Sequence, residues 1–292
     1  MVPMSMQPLN GPPGTAHLYA RVIAGASLPG FLWGGGDSIP ERGLSLPQVR
    51  FSAEEIEAYR RVCGGSGPDL PPAMLHVAGF PLAMYLMTSR DFPMGSLGMV
   101  HIANRIEVTG QLPALGEYEV QAHAGNARTH PKGTQFDMVT SASLDGELVW
   151  HETSTYLSRG SGLPSAGATA ERTSWPDPTQ NAEVVGLQIP SDMGRLYAAI
   201  SGDRNPIHLH ALAAKAFGFR TTIVHGMWTL ARCLAEVEGE LPGAYVATAG
   251  FFKPVFLPAA STLQIDRGDG KLTVWLTTED TRHAVVHVQF RD

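Results

Sequence analysis

The chain has few charged residues and few cysteines for its length of 292 residues. Charged residues make up 16% of it, and its formal net charge at pH 7 is -6. A polybasic surface for nucleic acid or for an anionic membrane is therefore not expected. The only cysteines, Cys63 and Cys233, lie in apolar helical patterns. This placement favours two buried thiols over a disulfide framework or a zinc site.

Long apolar runs are also missing from the sequence. No uncharged apolar run reaches the roughly 18 residues that a membrane-spanning helix needs, so membrane insertion is not expected. The first seven residues place no basic residue before an apolar core, which does not match a secretory signal peptide. We therefore expect a cytoplasmic location.

Motifs for phosphate-bearing cofactors and for serine nucleophiles are absent as well. The sequence contains neither a Walker loop nor a Gly-x-Ser-x-Gly elbow. No Gly-rich run is followed by the strand, turn and helix pattern of a dinucleotide-binding unit. Nicotinamide and flavin cofactors are therefore not implied.

The most informative part of the chain is a short polar run, Ser201-Gly-Asp-Arg-Asn-Pro-Ile-His208. Asn205-Pro206 disfavours helix at the Asn and fixes φ at the Pro, so the backbone between Asp203 and His208 is restrained. With ordinary pKa values of about 3.9 and 6.5, the carboxylate is ionised and the imidazole mostly neutral at pH 7. The two groups are a candidate acid and base that share one water molecule. A structural interpretation stays open, in which Asp203 or Asn205 caps a helix over 207–217.

The two halves of the chain resemble each other. Segment 51–59 aligns with segment 189–197 at an offset of 138 residues, and each reads as a short capped helix. Further along, segment 82–86 aligns with segment 230–234 at an offset of 148 residues. The first copy therefore lacks a piece between its turn and its long helix.

The missing piece corresponds to the place where the second copy carries its polar run. In register, Gly65 stands opposite Asp203 and Leu70 stands opposite His208. The first copy has neither the acid nor the base. We therefore predict one active site per chain.

Each copy shows the same order of predicted elements. A long apolar helix comes first, over 73–88 in the first copy and over 226–238 in the second, and four strands follow it. The strands are predicted at 98–108, 117–124, 134–143 and 147–157, and then at 245–253, 261–266, 272–278 and 283–290. Asp145-Gly146 and Asp269-Gly270 are hairpin signals between the last two strands of each set. An antiparallel sheet curled around a helix fits this order better than a parallel doubly wound sheet.

The polar run, with Tyr197 before it and Val224-His225-Gly226 after it, resembles the signature of the MaoC-like (R)-specific enoyl-CoA hydratases and dehydratases. The two unequal copies are similar to the double-hotdog members of that family. The resemblance implies an α+β fold, a double hotdog in which two curled antiparallel sheets each wrap on a central helix. It also implies an acyl thioester substrate, carried by coenzyme A or by a carrier protein.

The resemblance implies a role for each of four residues. Asp203 and His208 are the expected catalytic pair that activates one water molecule, and Asn205 and Gly226 are expected to support them. The backbone N–H of Gly226 is the candidate donor to the thioester oxygen, although close packing between helix and sheet would also explain a glycine. No metal and no organic cofactor are expected, because the thioester carbonyl already polarises the alkene.

Two further histidines, His210 and His225, lie close to the polar run in the sequence. His225 either lines the site or fills space, and the sequence leaves both interpretations open. His208 and His210 do not read as a metal pair, because helical spacing points their rings in different directions.

Two other functions share this scaffold. A hotdog acyl-CoA thioesterase usually carries its acid on the helix, whereas here both candidate groups precede the helix. A non-catalytic acyl-thioester-binding protein would be expected to have lost Asp203 or His208. The expected activity is therefore reversible hydration of trans-2-enoyl-CoA, or dehydration of (3R)-hydroxyacyl thioesters, by a monomer or a homodimer.

Composition divides the chain into four parts. The N-terminal residues 1–15 read as a loose tail rich in Pro and Gly, and 158–181 reads as an irregular linker. The linker separates a degenerate hotdog half at 16–157 from a catalytic hotdog half at 182–292.

Overall fold

The structure is a computed structural model that describes residues 5–27, 36–95, 98–160, 162–169, 173–279 and 281–291. The strands in chain order are β1 (Ser5–Pro8), β2 (Arg42–Val49), β3 (Val100–Val108), β4 (Tyr118–His130), β5 (Gly133–Leu144), β6 (Glu147–Arg159), β7 (Glu183–Ile189), β8 (Tyr245–Phe251), β9 (Ala259–Gly268), β10 (Lys271–Thr278) and β11 (Thr281–Phe290). The helices are α1 (Thr15–Ser27), α2 (Ala53–Cys63), α3 (Met74–Met87), α4 (Met193–Ser201), α5 (Pro206–Leu209), α6 (Ala211–Ala216) and α7 (Gly226–Glu236).

The described residues divide into two compact units that interleave along the chain. The first unit takes its residues from the stretches Met1–Val49, Leu75–Ile102 and Glu117–Thr173. The second takes them from Arg50–Met74, Ala103–Gly116 and Ser174–Asp292. Helix α2 of the first sequence copy therefore belongs to the same unit as the second copy. The linker predicted at 158–181 separates the two sequence copies, whereas the two units are defined by contacts in space.

In the first unit the strands lie in the order β1-β2-β4-β5-β6. β1 is parallel to β2, and the other neighbours are antiparallel. The β5–β6 turn has positive φ at both central residues, 51° at Asp145 and 83° at Gly146, as a two-residue hairpin turn requires. Helix α3 packs closely on β5, since a Cβ at Gly79 would lie 2.5 Å from the Thr140 side chain.

In the second unit the strands are antiparallel throughout, in the order β3-β8-β11-β10-β9-β7. Helix α7 packs against β10 and β11. Its buried apolar side chains are Met227, Trp228, Leu230, Ala231, Cys233 and Leu234. Each unit thus contains a run of neighbouring strands with a predominantly apolar helix packed against it, as the repeated sequence pattern predicts.

The short helices α2 and α4 occupy corresponding positions in the two sequence copies and pack against each other. A capping box begins α2, where Ser52 and Glu55 bond each other's backbone N–H groups. Both helices end at a glycine with positive φ, 91° at Gly64 and 72° at Gly202. The alignment of the two copies therefore describes equivalent helix ends.

The irregular segment before β7 is anchored on the sheet of the second unit. The Trp175 ring covers Gly250 of β8, where a Cβ would lie 2.9 Å from the ring. The Trp275 indole N–H donates to the Pro176 carbonyl at 3.1 Å. This end of the predicted linker is irregular in conformation, yet it covers part of a sheet face.

All eight predicted strands and both long helices are present, and most bounds agree within three residues. The largest difference is in β4, which continues to His130 instead of ending at 124. The pattern did not predict α1, β2 or β7, and part of the tail expected to be loose forms β1. Residues 1–4 of that tail lie outside the described residues. No helix in the described part of the chain has the length and hydropathy needed to cross a bilayer.

Candidate active site

The polar run folds as a tight turn between α4 and α5. Gly202 ends α4 in the left-handed conformation, and Pro206 occupies the first turn of α5. An Asp203 carboxylate oxygen accepts the Asn205 backbone N–H at 3.1 Å, and the Asn205 side-chain oxygen accepts the Ile207 N–H at 3.4 Å. The structural interpretation of this motif, an Asx turn with an Asn cap, is therefore right about the backbone. It does not compete with the chemical interpretation, because Asp203 has a second carboxylate oxygen.

The helix expected over 207–217 is interrupted. His210 has extended dihedral angles, φ -136° and ψ 126°, and separates α5 from α6. Since α5 is only four residues long, His208 is held chiefly by its tertiary contacts.

His208 is buried, and its tautomer follows from one hydrogen bond. Its Nδ1 lies 2.8 Å from the Ile223 carbonyl oxygen, and a carbonyl only accepts, so Nδ1 carries the hydrogen. The Nε2 of the neutral ring then holds a lone pair. Burial lowers the pKa of His208 below its usual value, against the opposing effects of Asp203 and the Ile223 bond. The ring is thus a neutral base at neutral pH.

A second buried imidazole, that of His225, stacks on the first. The ring centroids of His208 and His225 are 3.6 Å apart with an interplanar angle of 25°. His225 Nε2 donates to the Asp203 carbonyl oxygen at 3.0 Å and lies 3.8 Å from an Asp203 carboxylate oxygen. Burial and the neighbouring His208 lower the pKa of His225 to about 3. Of the two interpretations left open for His225, this geometry supports a place in the site.

Asp203, His208 and His225 therefore form one cluster, in which one potential ligand atom from each lies within 4.8 Å of the others. Such a donor set is compatible with a metal ion. However, His208 Nδ1 and His225 Nε2 each face a backbone carbonyl oxygen, and these bonds orient the rings without a metal. The absence of a metal remains a prediction.

Gly226 is the first residue of α7, directly after His225. The first N–H groups of a helix have no intrahelical acceptor, and this end of the helix dipole is positive. A Cβ at Gly226 would lie 3.4 to 3.5 Å from the Phe251 ring. Those are close to ordinary van der Waals contacts, so packing alone does not demand a glycine here.

Gly194, in the first turn of α4, was missed by sequence reasoning. A Cβ at this position would lie 2.1 Å from the His208 carbonyl oxygen, so only a glycine lets α4 approach the turn this closely. The alignment of the copies held a signal, because Ile56 stands at the equivalent position in α2 and is buried. The first copy needs no room for a catalytic turn.

The corresponding loop of the first copy binds a carboxylate of its own chain. The backbone N–H groups of Ser66 and Gly67 donate to a Glu238 carboxylate oxygen at 2.7 and 2.8 Å. The shortened loop thus holds a structural side chain in place of a catalytic pair.

The depressed pKa of His225 predicts how stability depends on pH. As pH falls through about 6.5, an unfolded imidazole takes up a proton that folded His225 does not take up until pH is about 3. This stabilisation is full above the unfolded value and is lost as pH falls toward the folded value. When pH is lowered from about 7.5 to 5.5, the titration of His225 alone should lower the free energy of unfolding by about 1.4 kcal/mol.

Urea unfolding at the two pH values measures this contribution. His225→Phe should show a pH-dependent loss smaller than that of the parent by about the same 1.4 kcal/mol. An unchanged loss in the variant would show that His225 titrates normally in the folded protein.

Comparison with known proteins places the chain in a family. Residues 173–282 match the MaoC like domain family. The chain is 34% identical over 239 residues to 3-hydroxyacyl-thioester dehydratase X of Mycobacterium tuberculosis, covering 80% of this chain and 83% of that protein. It is 27% identical over 274 residues to enoyl-CoA hydratase ChsH3 of the same organism, covering 84% of this chain and 93% of that protein.

The fold is also found among solved structures. The crystal structure of HtdX of Mycobacterium tuberculosis superposes with a TM-score of 0.75 at 31% identity, covering 86% of this chain and 100% of that one. The expected α+β double-hotdog fold is thereby confirmed.

Proposed function

We propose that this chain, which belongs to the family of MaoC-like dehydratases, interconverts trans-2-enoyl thioesters and (3R)-hydroxyacyl thioesters by adding or removing water. It is a hydro-lyase. The observation that carries the residue assignment is the buried His208 ring, whose Nδ1–H is bound to Ile223 and whose Nε2 is left as a proton acceptor. The Asp203 carboxylate belongs to the same cluster and is about a quarter exposed.

In the hydration direction, His208 Nε2 takes a proton from water while the water oxygen forms a bond to C3 of the substrate. The electron pair of the C2–C3 double bond moves toward the thioester carbonyl, where charge develops on oxygen. The imidazolium of His208 then gives its proton to C2. The sum is one water molecule added, with enzyme and thioester linkage restored.

Asp203 and Gly226 stabilise the charges that develop during this reaction. The Asp203 carboxylate accepts a hydrogen bond from the same water and stabilises the imidazolium that forms beside it. The Gly226 N–H, at the positive end of α7, donates to the thioester oxygen. Asn205 holds the turn through its bond to Ile207 and transfers no proton, since an amide does not titrate near neutral pH.

The proposal is tested with trans-2-enoyl-CoA esters of increasing chain length, by following the loss of the conjugated enoyl thioester absorbance. We expect turnover in the ordinary enzymatic range of about 1 to 10³ per second and a product of R configuration. EDTA should not change the rate, because no step uses a metal. The matched control is Asp203→Asn/His208→Gln, purified in the same way, which excludes host hydratases.

Three results would contradict the proposal. Release of free coenzyme A without hydration would indicate a thioesterase. Binding of the thioester without turnover would indicate a binding protein. Loss of activity in EDTA, restored by Zn²⁺, would assign the histidine cluster to a metal. A cytoplasmic location and a monomeric or dimeric state stay predictions.

A further inference from the structure

His225 has two contacts that no catalytic step uses, and both lead to the catalytic pair. One ring nitrogen donates to the Asp203 carbonyl oxygen at 3.0 Å, and the ring face stacks on His208 at 3.6 Å. His225 also comes directly before Gly226 at the start of α7. A single side chain therefore contacts both members of the pair and neighbours the proposed oxyanion donor.

The protonation state of His225 suits this arrangement. Its Nε2 must carry the hydrogen, because its partner is a carbonyl oxygen. Its Nδ1 is buried and has no hydrogen-bond partner among the described residues, so a proton there would have no acceptor. The ring is 2% exposed. A neutral ring with hydrogen on Nε2 satisfies this environment, whereas a charged ring does not.

We propose that His225 is a positioning residue, which fixes Asp203 relative to His208 by donating its Nε2–H to the Asp203 carbonyl oxygen while its face supports the His208 ring. This inference rests on the proposed function, since it names what holds the proposed catalytic pair in register. The turn needs such support, because helix α5 is four residues long and Asp203 lies outside it.

Two substitutions separate donation from packing. His225→Phe keeps an aromatic ring against His208 but removes the donor. His225→Gln removes the stacked ring but keeps a side-chain N–H as a donor for the same carbonyl. The control is His210→Gln, an exposed imidazole whose side chain makes no cap hydrogen bond.

The positioning role predicts that donation matters more than ring packing. His225→Phe should lower kcat by about 10- to 10²-fold, the scale of misplacing a catalytic group by about 1 Å, with little change in KM. The kcat of His225→Gln should stay above a tenth of the parental kcat and above the kcat of His225→Phe. The control should match the parent. The proposal is overturned if His225→Phe matches the parent, or if His225→Gln falls as far as His225→Phe.

A second readout needs no substrate. The groups facing His208 are the Asp203 carboxylate, which raises its pKa, the Ile223 carbonyl and the neutral His225 ring. If Asp203 is released, the NMR titration midpoint of His208 should move to lower pH in His225→Phe and stay in place in His225→Gln.

If the parent lacks hydratase activity but the two variants show this NMR pattern, the proposed function fails and the positioning role stands. If the parent is active and the midpoint is the same in both variants, the positioning role alone fails.

Discussion

Replacing Asp203 with Asn, or His208 with Gln, is expected to lower the hydration rate by about 10² to 10⁴ while the protein stays folded. Asn at 203 keeps a side-chain oxygen for the Asn205 N–H, which Asp203 accepts at 3.1 Å, so the turn is retained and only the charge is lost. Gln at 208 retains a donor for the Ile223 carbonyl but has no lone-pair nitrogen to take a proton. Each variant therefore removes the carboxylate charge or the proton-accepting nitrogen while it keeps the hydrogen bond that holds the side chain.

The measurement is kcat and KM on an enoyl-CoA substrate, together with the melting temperature of each variant. Asp192→Asn and His210→Gln are matched controls, an acid and an imidazole near the site whose side chains make no cap hydrogen bond, and both should retain parental rates. The pH profile gives an independent check. Because the Asp203 carboxylate raises the pKa of His208, the acid limb of kcat/KM should move to lower pH in Asp203→Asn. Parental rates in both folded variants would remove the pair from the mechanism.

The parts of the fold that the sequence predicted are those with local signals. The hairpin at Asp145-Gly146 has positive φ at both residues and the hairpin at Asp269-Gly270 has it at the Gly, and the Asp-Gly pair signals such turns in the sequence. The long helices follow from their apolar runs, and Asn205-Pro206 restrains the polar turn whatever surrounds it. Strand β2 and strand β7 were missed, since each contains a Pro or Gly that weakens a short strand pattern.

The parts that the sequence did not predict depend on tertiary contacts. The stacking of His225 on His208 joins residues from different segments, and the break between α5 and α6 follows from an extended His210. The interleaving of the units is not local either, because it places α2 with the second copy. A motif thus identifies the acid and the base, whereas the groups that orient them are visible only once the chain is folded.

The difference between the copies extends beyond the missing acid and base. In the first copy the shortened loop binds Glu238 through the backbone of Ser66 and Gly67, and Ile56 fills the face of α2. In the second copy the equivalent helix position is Gly194, under the carbonyl of His208. Loss of a catalytic turn is therefore accompanied by a larger side chain in the neighbouring helix.

Gly194→Ala is expected to lower kcat by about 10²-fold, although Gly194 has no chemical group to contribute. A methyl group there would lie 2.1 Å from the His208 carbonyl oxygen, a separation that real structures do not allow. Since the obstacle is backbone, either α4 or the turn must move. The obstructing atom belongs to His208, so a shift of the turn displaces the His208 base from its position beside Asp203. The strain should also cost about 1 to 3 kcal/mol of stability.

The matched control is Gly186→Ala in β7, where a Cβ would meet nothing within 4 Å, and it should leave kcat unchanged. The measurement is kcat at a temperature where both variants remain folded, with a crystal structure of Gly194→Ala to locate His208. A displaced His208 with a reduced kcat supports the interpretation that α4 sets the position of the catalytic turn. A folded Gly194→Ala with parental kcat would show that the turn tolerates this displacement. In that case the isoleucine of the first copy would reflect core packing alone, with no relation to the lost active site.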